Sequence, residues 1–143
     1  MSHDDFFREF DTLFSAMARR ARFGGFVPNA DASLAEDGRS VIVEVELAGV
    51  QPERIRVAVE GRRLYIAGRR EVAPKARGGT VLLKEIPHGD FAKEIALPVP
   101  IQRGDVTATY RDGLLTINLP IDRDEPALYA QAELRMIIRR MPV

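Results

Sequence analysis

Apolar side chains recur at every second position through much of the stretch from Val41 to Leu119, and glycine-bearing pairs interrupt the pattern. Val41, Val43, Val45 and Leu47 alternate with Ile42, Glu44 and Glu46; Ile55, Val57 and Val59 alternate with Arg56, Ala58 and Glu60; Leu64 and Ile66 alternate with Arg63, Tyr65 and Ala67. A period of two places each set on one face of a strand. The turn signals are Asp37-Gly38, Ala48-Gly49, Glu60-Gly61, Gly78-Gly79, His88-Gly89-Asp90 and Arg103-Gly104-Asp105. Short strands separated in this way predict an antiparallel sandwich, since a parallel sheet would need helical crossovers between them.

The sharpest local signal is Asp112-Gly113, flanked by Val106 to Arg111 and Leu114 to Leu119. Both turn residues can take positive φ at low cost, as a type I′ hairpin demands, so Val106, Ala108 and Tyr110 share one face and Leu115, Ile117 and Leu119 share one face of the return strand. Pro120 ends that strand because it has no N–H for the next ladder bond.

A chain of 143 residues accommodates one domain with a real core. Its 21 basic and 21 acidic residues balance to zero. The basic surplus expected of a nucleic-acid binder is missing, and the reading is of no nucleic-acid partner. Cysteine is absent, which excludes disulfides, thiolate catalysis and zinc–thiolate sites. The acidic start and the lack of any run near the roughly 20 apolar residues of a membrane span predict a cytoplasmic protein with no membrane contact.

The first 26 residues hold six of the seven phenylalanines. Phe6, Phe10, Leu13, Phe14 and Met17 recur at spacings of three and four, which predicts a helical N-terminal arm with one apolar side, and Ser2 with Asp5 offers a capping box. Two readings follow. The stripe either docks on the protein's own core or, with Phe7, forms an adhesive arm for other hydrophobic surfaces. Gly24-Gly25 and Pro28 end the arm near residue 29. Residues 30–121 form the sandwich, and residues 122–143 form a C-terminal tail whose apolar positions fit helix and strand equally well.

The hairpin run also resembles the Ala-x-x-x-Asn/Asp-Gly-Val-Leu signature of the alpha-crystallin domain of small heat-shock proteins, with Ala108, Gly113 and Leu115 matching and Leu114 in place of Val. Leu47-Ala48-Gly49-Val50 resembles the family's Leu-Pro-Gly-Val, and Leu64-x-Ile66-x-Gly68-x-Arg70 resembles its Leu-x-Ile-x-Gly-x-Arg strand. Glu85, Gly89, Phe91, Leu97 and Pro98 fit a further family segment, in which Ile86 and Lys93 stand where arginines are usual. The resemblance implies an immunoglobulin-like antiparallel β-sandwich.

It also implies sites. A groove between two family strands would be lined by Ile55, Val57 and Val59 on one side and Thr107 and Thr109 on the other, although an alternating strand leaves open that these aliphatics simply fill the sandwich. The segment Val72 to Glu85 corresponds to a loop that, in bacterial and plant members, carries a strand pairing with the partner subunit's sheet edge; Val81, Leu82 and Leu83 would be that dimer strand. Lys93 would make a dimer contact as a point charge where a guanidinium is usual. The tail's nearest approximation to a docking motif is Met136 and Ile138, a weak pair that favours a homodimer or small homo-oligomer over a large shell.

Catalysis has no visible basis: His3 and His88 are the only histidines, and neither has a nucleophile partner nor the company a metal would need. The resemblance therefore implies a cofactor-free, ATP-independent holdase chaperone, not an enzyme. It would bind unfolded or partly folded client proteins through Phe6, Phe7, Phe10, Leu13, Phe14 and Met17 of the arm. The alternative is a CS-domain-like co-chaperone recruiting one defined partner.

Overall fold

The computed structural model of the protein describes residues 3–72 and 78–122, leaving out the side chains of residues 3–7 and of Arg103. A helix, α1 (His3–Arg22), precedes seven strands: β1 (Ala30–Leu34), β2 (Ser40–Glu46), β3 (Arg56–Glu60), β4 (Arg63–Arg70), β5 (Gly89–Ala96), β6 (Thr107–Arg111) and β7 (Leu114–Pro120). They form two antiparallel sheets, ordered β1-β2-β7-β6 and β3-β4-β5. The expected sandwich and helical arm are both present. The tail assigned to residues 122–143, with Met136 and Ile138, lies outside the described residues beyond Asp122.

The β6–β7 hairpin turns on Asp112 at φ 55° and Gly113 at φ 79°. Two positive φ values in succession satisfy the type I′ turn that the sequence demanded, and a two-residue loop fixes the register, Arg111 opposite Leu114 and Tyr110 opposite Leu115.

Register then builds the core. Val41, Val43 and Val45 of β2 lie opposite Leu119, Ile117 and Leu115 of β7, so two alternating strands deliver one continuous aliphatic surface. The facing sheet contributes Leu64, Ile66, Phe91 and Ile95, and all of these side chains are buried. Each large aliphatic removed from water contributes about 1.5–3 kcal/mol, which is why the alternation is maintained so strictly.

β4 is buried on both faces. Leu64, Ile66 and Gly68 turn toward the sandwich interior, whereas Tyr65 and Ala67 turn outward and are covered by α1. The molecule thus has three layers: helix, three-stranded sheet, four-stranded sheet. Gly68 lies opposite Phe91 in the β4–β5 ladder, and a Cβ there would stand 2.4 Å from the Arg54 carbonyl oxygen and 2.5 Å from Cζ of Phe91. Glycine is required because the backbone of the helical turn Pro52–Arg54 before β3 and a phenyl ring occupy the space a side chain would need.

α1 ends where the Phe23 and Gly25 amides donate to the Arg20 carbonyl, with Arg19, Arg20 and Arg22 in the last turn, where cations complement the helix dipole. The chain then bends sharply onto β5: the Phe26 amide donates to the Asp90 carbonyl at 3.0 Å.

Candidate functional site

Three apolar surfaces stand out, each produced by a different element. The first is the pair of sheet edges. β3 closes one side of the three-stranded sheet and β6 one side of the four-stranded sheet, so each leaves one row of backbone groups unpaired by its own sheet. Ile55, Val57 and Val59 are half-buried and pack against the inter-sheet core, as do Val106 and Tyr110.

Thr107 and Thr109 lie elsewhere. They pair with Asn118 and Thr116, which alternate with the buried Leu115, Ile117 and Leu119, so both threonines point away from the sandwich interior. Ala108 and Tyr110 of β6, with Val106 just before it, share the interior side, as the hairpin register implies by putting Tyr110 on the same side as Leu115. The Tyr110 hydroxyl donates to the Leu47 carbonyl at 2.5 Å, tying β6 to the end of β2.

The second surface is the loop between β4 and β5. Val81, Leu82 and Leu83 form no strand within the chain and are 64%, 95% and 77% exposed, joined by Ile86 at 62%. A run of aliphatics left in water is costly unless something covers it. The end of the loop is anchored. Arg70 donates from Nε and Nη2 to the Pro87 carbonyl at 3.0 and 2.5 Å and from Nη1 to the Ala48 carbonyl at 3.2 Å, and its guanidinium lies 4.2 Å from the centroid of the Phe26 ring. Arg70 was visible as the last residue of the Leu-x-Ile-x-Gly-x-Arg run, but its role depends on three segments distant in sequence. Beyond it Lys84 bonds to the Ile86 carbonyl and to Nδ1 of His88.

A cleft of about 700 Å³ beside this anchor holds Arg54, Arg69 and Glu71 among its walls. Arg69 reaches Glu71 at 2.8 Å and Asp90 at 3.1 Å, and Arg54 reaches Glu71 at 3.8 Å. These contacts hold the Arg69 guanidinium above its ordinary pKa, first through the Asp90 hydrogen bond. Charges spent on one another in this way offer little to a ligand.

The third surface is the outer face of the three-stranded sheet, now beneath α1. Ala67 and Ala92 face each other across the β4–β5 ladder and make a shallow shelf, with Tyr65 standing beside it opposite Glu94. Phe10 and Phe14 meet the Tyr65 ring edge-on, at centroid distances of 5.9 and 4.9 Å. Burial, then the charge of Glu94, pushes the Tyr65 hydroxyl above its ordinary pKa. Of the arm residues, Phe14 is buried and Phe10 and Met17 pack against this cluster, whereas Leu13 is 50% exposed; the side chains of Phe6 and Phe7 lie outside the described residues. Lys93 pairs with Ile66 on the face that carries Phe91 and Ile95, and is half-buried.

Among the described residues, no group of three histidine, aspartate or glutamate side chains could hold a metal ion, and no helix is long and apolar enough to cross a membrane.

Comparison with known proteins places this arrangement. The Hsp20/alpha crystallin family profile matches residues 33–133. The small heat shock protein C4 of Rickettsia felis is 26% identical over 117 residues, covering 82% of this chain and 72% of that protein. Alpha-crystallin of Mycobacterium tuberculosis is 30% identical over 127 residues, covering 84% and 83%. Among solved structures, heat shock protein 16.0 from Schizosaccharomyces pombe superposes with a TM-score of 0.63 at 28% identity, covering 71% of this chain and 92% of that one. The chain belongs to the Hsp20/alpha-crystallin family. Members of that family are small heat-shock chaperones, not enzymes, and a chaperone role follows for this chain.

Proposed function

We infer that the protein is an ATP-independent holdase that binds partly unfolded proteins through exposed apolar surface and keeps them from aggregating, working in the cytoplasm as a homodimer or small homo-oligomer. The observation that carries this reading is the apolar surface left in water by Leu13, Phe23 and Val27 along and just after α1, on a sandwich of a chaperone family. Burying apolar area contributes about 25 cal/mol per Å², so a few hundred square ångströms suffice for reversible holding. Nothing in that process requires a turnover step.

Addition of the protein without nucleotide should lower the light scattering of a heat-denatured model client in proportion to its concentration. Unchanged scattering at several-fold molar excess would count against the holdase reading.

For dimerisation, β1 supplies an acceptor. It is the outer strand of its sheet, paired on one side by β2 and open on the other. A strand formed by Val81 to Leu83 of a second copy would satisfy that open edge while removing the loop's aliphatics from water, two gains from one contact. Deleting residues 76–84 is therefore expected to give folded monomers in sedimentation. Persistence of a dimer of unchanged stability would remove the loop from the interface.

A further inference from the structure

The outer face of the three-stranded sheet has the anatomy of an interface, not of a permanent core. Its centre is apolar and shallow, consisting of the Ala67–Ala92 shelf and the Tyr65 ring. Its ends are charged: the Arg63–Glu94 pair at 2.5 Å bounds one side and the Arg69–Asp90 pair at 3.1 Å the other. An apolar centre within a polar rim is the anatomy of a protein–protein interface.

The present occupant, α1, is held lightly. Of its described side chains only Phe14 and Ala21 are fully buried there, with Phe10, Met17 and Ala18 packed at the margin. Among the described residues one ion pair, Arg20 to Asp90 at 3.4 Å, ties its last turn to β5, with the Arg20 side chain 62% and the Asp90 side chain 11% exposed. The exposed Arg20 end leaves the pair open to water, which limits its contribution. Gly24 at φ 136° lies just past the helix end, and a glycine there tolerates the backbone change that releasing the helix requires, its carbonyl oxygen standing beside Gly89 in the docked form.

We propose that this face is a docking surface for amphipathic helical segments of other proteins that carry aromatic side chains four residues apart, and that α1 occupies it as a removable lid. The kind of partner is read from the lid: aromatics at the positions of Phe10 and Phe14 flank Tyr65, and a small residue at the position of Ala21 lies on the alanine shelf. Non-native proteins expose such helices when their own cores open. The proposal rests on the holdase reading and adds to it a defined surface, a preferred segment and a gate.

The absence of cysteine makes the gate directly controllable. In the full-length chain, Arg20→Cys with Asp90→Cys removes the latch, and a short bifunctional maleimide then closes the lid covalently. The probe is a fluorescent peptide reproducing residues 3–22, with a Phe10→Ala, Phe14→Ala peptide as control, followed by anisotropy; near-ultraviolet circular dichroism reports that the sandwich is intact in each form. The open form is expected to bind the aromatic peptide at least tenfold more tightly than the cross-linked form. Equal binding by open and closed forms, or no binding by the open form, overturns the proposal.

Suppression of client aggregation is measured on the same two forms. Greater suppression by the open form supports the face as a client site. Equal suppression by both overturns that role and leaves the holdase reading standing. Suppression by neither is a failure of the holdase reading, while the peptide result still decides whether the face accepts a helix.

Discussion

Phe91→Ala is expected to cost the sandwich about 3–5 kcal/mol, the range for removing a fully buried aromatic from a core that cannot close over the space. The ring has no exposure to solvent and is the largest side chain buried to that degree among the described residues. It sits where three parts of the chain converge, opposite Gly68 of β4, at a centroid distance of 5.4 Å from Phe26, and beneath the Arg54 carbonyl that also crowds Gly68. Collapse into the vacated volume is blocked on the near side, because Gly68 has no side chain to swing inward. Domains of this size are stable by about 5–15 kcal/mol, so the loss consumes a large part of the margin. Urea or guanidinium unfolding monitored by circular dichroism gives the difference directly. A change below 1 kcal/mol would mean that Phe26 or Ile95 refills the site, against the packing described.

How much of this was legible beforehand depends on how local each cause is. The β6–β7 hairpin follows from Asp112 and Gly113 alone, because a type I′ turn asks only that two adjacent residues tolerate positive φ. The alternation of Val43 and Val45 with the charged Glu44 and Glu46 likewise states which face of β2 is buried, whatever it packs against. Register carries such information across a turn, and it is why Ala108 and Tyr110 of β6, with Val106 before it, turn to the interior side while Thr107 and Thr109 turn away.

The remainder was hidden because its cause is distant in sequence. Tyr65 and Ala67 alternate with Leu64 and Ile66 and read as the solvent side of a half-buried strand; their burial comes from α1, more than forty residues earlier. A period-two pattern reports which side chains share a face and is silent on what covers that face. The same holds for the stripe on α1, for which docking on the protein's own sheet and adhesion to other surfaces leave one and the same signature. Gly68 and Arg70 appeared in the sequence as motif positions. Their necessity is a matter of the Arg54 carbonyl, the Phe91 ring and the Pro87 and Ala48 carbonyls, none of which a spacing rule can bring together.

Gly25→Ala should separate the helix from the sandwich without unfolding the latter. A Cβ at this position would stand 1.9 Å from the Asp90 carbonyl oxygen and 2.9 Å from Cα of Ala21. Both obstacles are backbone, one in a strand and one in the helix, so no side-chain rearrangement relieves the clash. The β4–β5 ladder holds Asp90 opposite Arg69, and breaking it would cost more than letting the helix go. The helix is the weaker partner, since among the described residues a small apolar cluster and the Arg20–Asp90 pair attach it, whereas Asp90 is held in a full strand ladder. Once detached, a segment of 20 residues is near the limit at which an isolated helix persists in water, and part of its helical circular dichroism should be lost. The detached state also uncovers Tyr65, whose ring now lies against Phe10 and Phe14, so its fluorescence should become accessible to a soluble quencher. Hydrogen exchange resolves the two parts: amides of residues 8–22 are expected to lose protection by orders of magnitude, while those of β2 and β7, at the centre of the four-stranded sheet, keep theirs. Uniform loss of protection through both regions would show instead that α1 is an integral layer of the fold, and a protected helix in the variant would show that Asp90 can yield where the ladder says it cannot.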